Sequence, residues 1–168
     1  DRVAAGGERT VSGEEAFGRE LAALHRTTGA RYGAVDGEPT AYLGDCPVDL
    51  ALADAEALAG SDLGPVEPPT LVHGDLWAGN RLVDRRGRSW LIDPCAHYAH
   101  REVDLAMMQL FGGFSGRVYA AYAEDFPLAA GWRERVAVFQ TVPLLVHVLL
   151  FGGGYAVQAG DALRAARG

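Results

Sequence analysis

The chain has 168 residues and a mass of 17.8 kDa, with 49% hydrophobic and 22% charged residues. This balance is typical of one folded domain with a single core, and it argues against a disordered or fibrous chain. The formal net charge of −7 argues against nucleic acid or an acidic membrane surface as the main partner. All 15 basic residues are arginine, so the sequence contains no lysine.

Cysteine content and hydropathy indicate the compartment. The 2 cysteines, Cys46 and Cys95, are too few for a disulfide framework. No charged-then-apolar leader opens the sequence, and the longest apolar stretch, residues 144–151, is shorter than the ~20 residues of a membrane span. We therefore expect a protein of the reducing cytoplasm without a membrane partner, in which residues 144–151 form a buried helix.

The first third of the chain predicts two helices separated by a loop. Ser12 followed by Glu15 has the form of a capping box, and apolar residues then recur at helical spacing, which predicts an amphipathic helix over residues 13–28. Residues 31–49 are rich in Gly, Pro and Asp without a sustained period, which predicts a loop. A short helix rich in Ala and Leu is predicted over residues 50–59.

The middle of the chain predicts a β-hairpin. Residues 81–84 and 89–92 are short runs of strand-forming character, and residues 85–88 between them favour a four-residue loop. This loop length sets a register in which Asn80 lies opposite Asp93. Opposed residues in an antiparallel pair lie about 4.5–5.5 Å apart, so the two side chains would be close enough to share one metal ion.

The last third of the chain predicts helices. Apolar residues at helical spacing precede Gly112, and Ser115 can cap the helix that follows. A long apolar helix is predicted over residues 132–151, with a kink or break at Pro143, and a final helix over residues 155–166. The expected fold class is α+β and mostly helical, with one short hairpin.

One motif points to a chemical function. His73, Asp75 and Asn80 have the spacing H-x-D-x-x-x-x-N of a kinase catalytic loop. Phosphoryl transfer needs a carboxylate that accepts the proton of the attacking hydroxyl, and hard oxygen ligands for Mg²⁺. We predict Asp75 as this base, and Asn80 and Asp93 as Mg²⁺ ligands. Each residue alone would equally suit a turn, but their joint spacing favours the kinase interpretation.

Other polar residues near the motif have structural alternatives. A histidine such as His73 more often holds a loop by hydrogen bonds than carries a proton. Cys95, His97 and His100 lack the second pair of thiolates that a structural zinc site has. Asp104 lies on an otherwise apolar helix face, so it is either a surface carboxylate or a buried one that braces the catalytic loop.

The motifs resemble those of the fructosamine (ketosamine) kinase family, which is related to the aminoglycoside phosphotransferases and to protein kinases. The resemblance covers residues 14–166 and rests on LVHGDLWAGN at 71–80, IDP at 92–94, YAHREVDLA at 98–106 and LFGGF at 110–114. The catalytic loop alone would indicate only the wider superfamily. The Leu76-Trp77 pair and the Asp93-Pro94 pair favour the fructosamine branch.

The resemblance implies ATP-dependent phosphorylation of a hydroxyl on a ketosamine, the adduct of a sugar and an amine, with ATP and Mg²⁺ as cofactors. The substrate would be a small molecule or a protein-bound sugar-amine. The family's roles carry over to Asp75 as base, to Asn80 and Asp93 as Mg²⁺ ligands, and to His73 and Asp104 as loop braces. They carry over more weakly to Trp77, His100 and Glu102 as wall residues near the sugar.

The resemblance also implies one kinase-like C-terminal lobe over residues 1–168, which is the substrate and catalytic lobe. It comprises a leading helix at 14–28, the catalytic loop and metal-binding hairpin at 71–94, and a helical subdomain at 101–166. Because the chain has no lysine and little sequence before residue 14, we expect the family's N-terminal nucleotide lobe not to be present. Two alternatives stay open: a kinase of the aminoglycoside or choline type, and a non-catalytic fragment of a kinase lobe.

Overall fold

The computed structural model describes residues 6–34, 41–43, 46–48 and 62–166. These residues contain five α-helices: α1 (Val11–His25), α2 (Glu102–Leu110), α3 (Gly116–Asp125), α4 (Val136–Phe151) and α5 (Gly154–Ala166). Seven short strands accompany them: β1 (Gly33–Ala34), β2 (Ala41–Leu43), β3 (Cys46–Val48), β4 (Thr70–Val72), β5 (Arg81–Val83), β6 (Ser89–Leu91) and β7 (His97–Ala99). The expected α+β and mostly helical character is confirmed.

Helix α1 begins and ends slightly earlier than the sequence predicts. Thr10 has extended dihedral angles, and its Oγ1 accepts a hydrogen bond from the Gly13 N–H group at 3.1 Å. Thr10, and not Ser12, is therefore the N-cap. Beyond the end of α1 the backbone pairs with strand β4, because the Leu71 N–H group donates to the Thr27 carbonyl at 2.8 Å.

The predicted loop over residues 31–49 contains short strands. Strand β1 pairs antiparallel with β7, and β2 pairs antiparallel with β3. The loop prediction is wrong at these positions, because strands of two or three residues are too short to show a period in the sequence. Strands β1, β7 and β4 form a three-stranded sheet in that order. The predicted helix over residues 50–59 lies outside the described residues.

The predicted hairpin is present as β5 and β6, but its loop is shorter than predicted. The Asp84 N–H group donates to the Arg88 carbonyl at 2.9 Å, so the loop consists of residues 85–87. Gly87 has a φ of 77°, the left-handed conformation that a three-residue hairpin loop requires. The Asp84 carboxylate also accepts hydrogen bonds from the N–H groups of Arg86 and Arg88, which fix this loop.

The shorter loop changes the pairing at the open end of the hairpin. The Ile92 N–H group donates to the Asn80 carbonyl at 3.0 Å, so Asn80 lies opposite Ile92. The predicted cross-strand pair of Asn80 and Asp93 is therefore wrong. Asp93 follows the paired segment and has a φ of 50°, a left-handed conformation that is uncommon for a residue with a side chain.

The main core lies between α1, α2 and α3. Phe17 of α1, Leu105 of α2 and Tyr122 of α3 belong to one buried apolar cluster. Gly18 allows the close approach of α1 to α3, since a Cβ atom there would lie 2.3 Å from the Val118 carbonyl oxygen. This packing holds α2, and with it the residues that support the catalytic loop, against α1.

Helix α4 begins later than predicted and continues through Pro143 without ending there. A proline removes one helical hydrogen bond, and the packing of α4 against both α2 and α5 holds the helix together. The last turn of α4 exposes Leu149 and Phe151, so the predicted buried helix over residues 144–151 is buried only in part. Among the described residues, no helix is both long and apolar enough to cross a membrane.

Candidate active site

The motif residues lie on the segment between β4 and β5, which ends in the 3-10 turn Ala78–Asn80. Gly74 has a φ of 82°, and a Cβ atom at this position would lie 2.1 Å from the Cys95 carbonyl oxygen. Only glycine combines this backbone conformation with so close an approach. The catalytic loop therefore packs directly against the segment that follows β6.

Asp104 holds the start of the catalytic loop in place by hydrogen bonds. Its side chain is fully buried, and its carboxylate accepts hydrogen bonds from the N–H groups of His73 at 2.7 Å and Gly74 at 2.9 Å. His25 Nε2 lies 3.1 Å from the same carboxylate. Burial alone would raise the pKa of Asp104, but these hydrogen bonds hold its pKa below the usual value. Of the two alternatives for Asp104, the structure shows the buried carboxylate.

His25 connects Asp104 to the core. Its Nε2 donates to the carboxylate, and its Nδ1 lies 2.8 Å from the Tyr122 hydroxyl. The role of His25 was not predicted, although the sequence carries a signal for it. Phe17, Leu21 and His25 follow one another at intervals of four residues on the buried face of α1. A histidine that continues an apolar stripe must find polar partners inside the protein.

His73 ties the catalytic loop to the end of β6. Its Nε2 lies 3.0 Å from the Ile92 carbonyl, which can only accept, so Nε2 carries the proton. Its Nδ1 accepts a hydrogen bond from the Asp75 N–H group at 3.3 Å. Both ring nitrogens are therefore used to position the loop.

Asp75 and Asn80 form the centre of the site. Asn80 Nδ2 donates to the carbonyl oxygen and to carboxylate Oδ2 of Asp75, each at 2.9 Å. Burial raises the pKa of the Asp75 carboxyl, although the Asn80 hydrogen bond and the nearby His73 and His147 oppose the rise. A carboxylate with a raised pKa is a stronger proton acceptor than an ordinary one.

Asn80 and Asp93 provide oxygen atoms that suit Mg²⁺. Because Asn80 Nδ2 is directed at Asp75, its Oδ1 is the remaining acceptor of the amide. Within the described part of the chain, the Asp93 carboxylate has no hydrogen-bond or ion-pair partner. Mg²⁺ in nucleotide sites is commonly held by one or two side chains together with phosphate and water oxygens. Asn80 and Asp93 therefore each carry an oxygen ligand of the type that this ion prefers.

The cysteine and histidines that follow the hairpin serve other contacts. His97 Nδ1 donates to the Cys95 carbonyl at 2.7 Å, and His100 Nδ1 accepts from the Glu102 N–H group at 3.3 Å. In the ranges that the structure describes, no group of three or more His, Cys, Asp or Glu side chains is placed to hold a metal ion.

A cavity of about 420 Å³ opens beside Asp75. Its described wall is mostly apolar and includes side chains from α2, α4 and the loop before β4, among them Val66, Val103, Met107, Phe139, Val142 and Val146. The acidic side chains of this described wall are Asp75 and Glu67, and no arginine belongs to it. The cavity was not predictable from the sequence, because its walls come from segments far apart in the chain.

His100 is the one predicted wall residue that lines the described cavity. Its ring stacks on Phe139 with a centroid distance of 4.9 Å. His100 Nε2 is buried without a hydrogen-bond partner among the described residues, and Glu67 Oε2 lies 3.8 Å away. Burial lowers the pKa of His100, although the carboxylates of Glu102 and Glu67 oppose this effect.

The other two predicted wall residues do not belong to the described lining of the cavity. Both carboxylate oxygens of Glu102 bind the Arg135 guanidinium, at 2.6 and 3.0 Å, and both side chains are buried. Glu102 therefore joins α2 to the start of α4. Trp77 is 40% exposed and packs edge-to-face against Phe111, with ring centroids 6.2 Å apart.

Known proteins share both the sequence and the fold. A family model described as fructosamine kinase matches residues 62–166. An Enterococcus faecium protein named as a probable ketoamine kinase is 44% identical over 105 residues, which are 60% of this chain and 38% of that protein. A Thermus thermophilus protein of the same name is 37% identical over 166 residues and covers 84% of this chain and 62% of its own length.

A solved structure extends the similarity to nearly the whole chain. A Thermobifida fusca protein that bears the name fructosamine-3-kinase superposes with a TM-score of 0.85 and 36% identity, covering 99% of this chain and 68% of its own. Three curated relatives are longer, since the match spans 38%, 31% and 35% of their lengths. The chain therefore shares its sequence and its fold with these proteins, and it belongs to the fructosamine kinase family.

Proposed function

We propose that the chain supplies the catalytic and acceptor-binding residues of an ATP-dependent kinase that phosphorylates a hydroxyl group of a ketosamine. One observation carries the proposal: the Asp75 carboxylate is held by Asn80 beside a cavity of about 420 Å³, and burial raises its pKa. Family membership supplies the substrate class, because the relatives are named as ketoamine and fructosamine kinases.

Asp75 acts as the base in this proposal. Its Oδ2 is occupied by Asn80, which leaves Oδ1 to accept the proton of the substrate hydroxyl. That hydroxyl oxygen would bond to the γ-phosphorus of ATP as the bond to the β–γ bridging oxygen breaks and ADP leaves. Catalysis of phosphoryl transfer consists mainly of positioning and of charge stabilisation. The hydrogen bonds of Asp104 and His73 to the loop therefore contribute by keeping Asp75 in place.

Asn80 and Asp93 would hold Mg²⁺, which neutralises charge on the phosphates of the nucleotide. Asn80 would then have two tasks, since its Nδ2 donates to Asp75 while its Oδ1 would bind the ion. This double use makes the positions of the base and of the metal depend on each other. Of the predicted wall residues, we assign His100 to the cavity beside Asp75, where the ketosamine would bind. We treat Glu102 as a structural residue, because it pairs with Arg135.

Removing the charge of Asp93 tests the metal site. Asp93→Asn should weaken binding of Mg²⁺-ATP about 10–100-fold, because a lost charged contact is worth about 1.5–3 kcal/mol. Asparagine tolerates the left-handed backbone at this position, so the thermal unfolding midpoint should not change. Calorimetric titration with ATP, with and without Mg²⁺, measures the effect.

Asp161→Asn is the matched control for this experiment, since Asp161 is an exposed carboxylate on α5. The control should bind Mg²⁺-ATP as the wild type does. Equal affinity in the Asp93→Asn variant and the control would remove Asp93 from the metal site.

The proposed activity is tested with the protein expressed together with any further sequence that its gene encodes. Incubation with ATP, Mg²⁺ and a fructosyl amine should give a phosphorylated sugar that ³¹P NMR detects. Phosphorylation of choline or an aminoglycoside, with none of the fructosyl amine, would contradict the substrate class. Absence of turnover with all three would favour the non-catalytic alternative.

A further inference from the structure

The apolar wall of the cavity beside Asp75 suits only part of a ketosamine. Val103, Phe139, Val142 and Val146 offer no hydrogen bonds from their side chains. Sugar hydroxyls placed against them would lose hydrogen bonds to water without replacement. An apolar group would gain from the same burial. In a ketosamine the part other than the sugar is the substituent of the amine, so this substituent fits the apolar wall.

The charges around the cavity disfavour an anionic substituent. The described lining contains the carboxylates of Asp75 and Glu67, the histidines His97, His100 and His147, and no arginine. The sequence adds to this, because residues 32–80 contain neither arginine nor lysine. A protonated secondary amine would be attracted by the Asp75 carboxylate, whereas a carboxylate on the substrate would be repelled by it.

Two arginines that contact the residues of this wall are already paired. The Arg101 guanidinium binds both carboxylate oxygens of Glu67, at 2.7 and 2.8 Å. The Arg135 guanidinium binds both carboxylate oxygens of Glu102. A substrate carboxylate would have to displace one of these buried pairs, which would leave a buried carboxylate unpaired.

Among the buried side-chain atoms of the described wall, His100 Nε2 is the one that lacks a hydrogen-bond partner. Glu67 Oε2 lies 3.8 Å from this nitrogen, so a substrate carboxylate at His100 would meet a like charge. A neutral acceptor, such as a carbonyl oxygen, meets no such penalty. This buried nitrogen therefore does not make the cavity a carboxylate site.

We propose that the acceptor is the ketosamine of an apolar amine that bears no carboxylate beside the glycated nitrogen. The inference rests on the proposed function and narrows its substrate class. Glycated alkylamines and arylalkylamines satisfy the wall and its charges together. Glycated free α-amino acids do not, because their carboxylate lies one bond from the carbon that carries the nitrogen.

Two substrates that differ by one carboxylate test the inference. The fructosyl adduct of 3-methylbutylamine should be phosphorylated with a kcat/KM about 10–100-fold higher than that of fructosyl-leucine, at fixed pH and ionic strength. Equal values, or a preference for fructosyl-leucine, would overturn the inference and leave the proposed function standing. Absence of turnover with both adducts would instead contradict the proposed function.

A charge introduced at the rim should change this preference. Val66 lines the cavity but is 99% exposed, so Val66→Arg should fold normally and place a cation beside the substituent. We expect the ratio of the two kcat/KM values to fall about tenfold, mainly through a lower KM for fructosyl-leucine. Val157→Arg on α5, where the side chain is 65% exposed and lies outside the described lining, is the control and should keep the ratio. An unchanged ratio in Val66→Arg would contradict the inference.

Discussion

Asp75→Asn should lower kcat about 10²–10⁴-fold while the affinity for ATP stays nearly constant, because a positioned proton acceptor contributes about this factor. Asparagine keeps the size of the side chain, so the loop should keep its position. Steady-state kinetics with a fructosyl amine, and a separate titration with Mg²⁺-ATP, distinguish the loss of the base from a loss of binding. Near-normal turnover would remove Asp75 from this role.

The pH dependence of the wild type gives a second measurement on Asp75. The base works only when it is ionised, so kcat/KM should fall as the pH falls through the pKa of Asp75. Burial raises this pKa, and the acid limb should therefore lie at a higher pH than for an ordinary aspartate, whose pKa is about 3.9. An acid limb at or below the ordinary value would contradict a buried base.

Asp104→Asn should lower the free energy of unfolding by about 3–5 kcal/mol, the usual effect of breaking a buried charged network. The fully buried carboxylate accepts hydrogen bonds from His25 and from the backbone N–H groups of His73 and Gly74. The asparagine amide would have only one acceptor oxygen, and its NH2 group would face N–H groups that now donate to the carboxylate. Chemical denaturation monitored by circular dichroism measures the change.

Tyr122→Phe is the matched control, because it removes only a hydroxyl from the same network and should cost about 1 kcal/mol. The effect of Asp104→Asn should also depend on pH. The folded pKa of Asp104 is lowered, so its stabilisation is present above the ordinary pKa of about 3.9 and is lost as the pH falls toward the folded value. If Asp104→Asn were as stable as Tyr122→Phe at neutral pH, this would contradict the role of Asp104 as the anchor of the loop.

Local sequence was sufficient to find the hairpin and the helices, but not the register. The turn residues between β5 and β6 are visible in the sequence, and so is the apolar pattern of the helices that follow. The loop length depends on the hydrogen bonds of the Asp84 carboxylate and on the left-handed conformation of Gly87. A difference of one residue in the loop moves Asn80 opposite Ile92, so strand pairing does not bring Asn80 and Asp93 opposite each other.

The catalytic loop was predictable because its residues lie close together in the chain, at a spacing tied to one chemistry. The cavity was not, since Val66, Val103 and Phe139 meet only after the whole chain has folded. His25 and Asp104 show an intermediate case. Each lies on an apolar face in the sequence, which signals a buried polar group, but only the structure shows that they bind each other.

The contacts of the Arg101 guanidinium decide which substitutions can change the cavity beside Asp75. Besides Glu67 it binds the carbonyl groups of Phe126 and Pro127, at 3.1 and 2.8 Å, so one side chain joins α2, the end of α3 and the wall segment before β4. Residues 63–66 precede this fixed point and lie away from the catalytic loop along the chain. Substitutions of the exposed residues Leu63 and Val66 can therefore enlarge, reduce or recharge the cavity beside Asp75 without disturbing the anchor at Glu67.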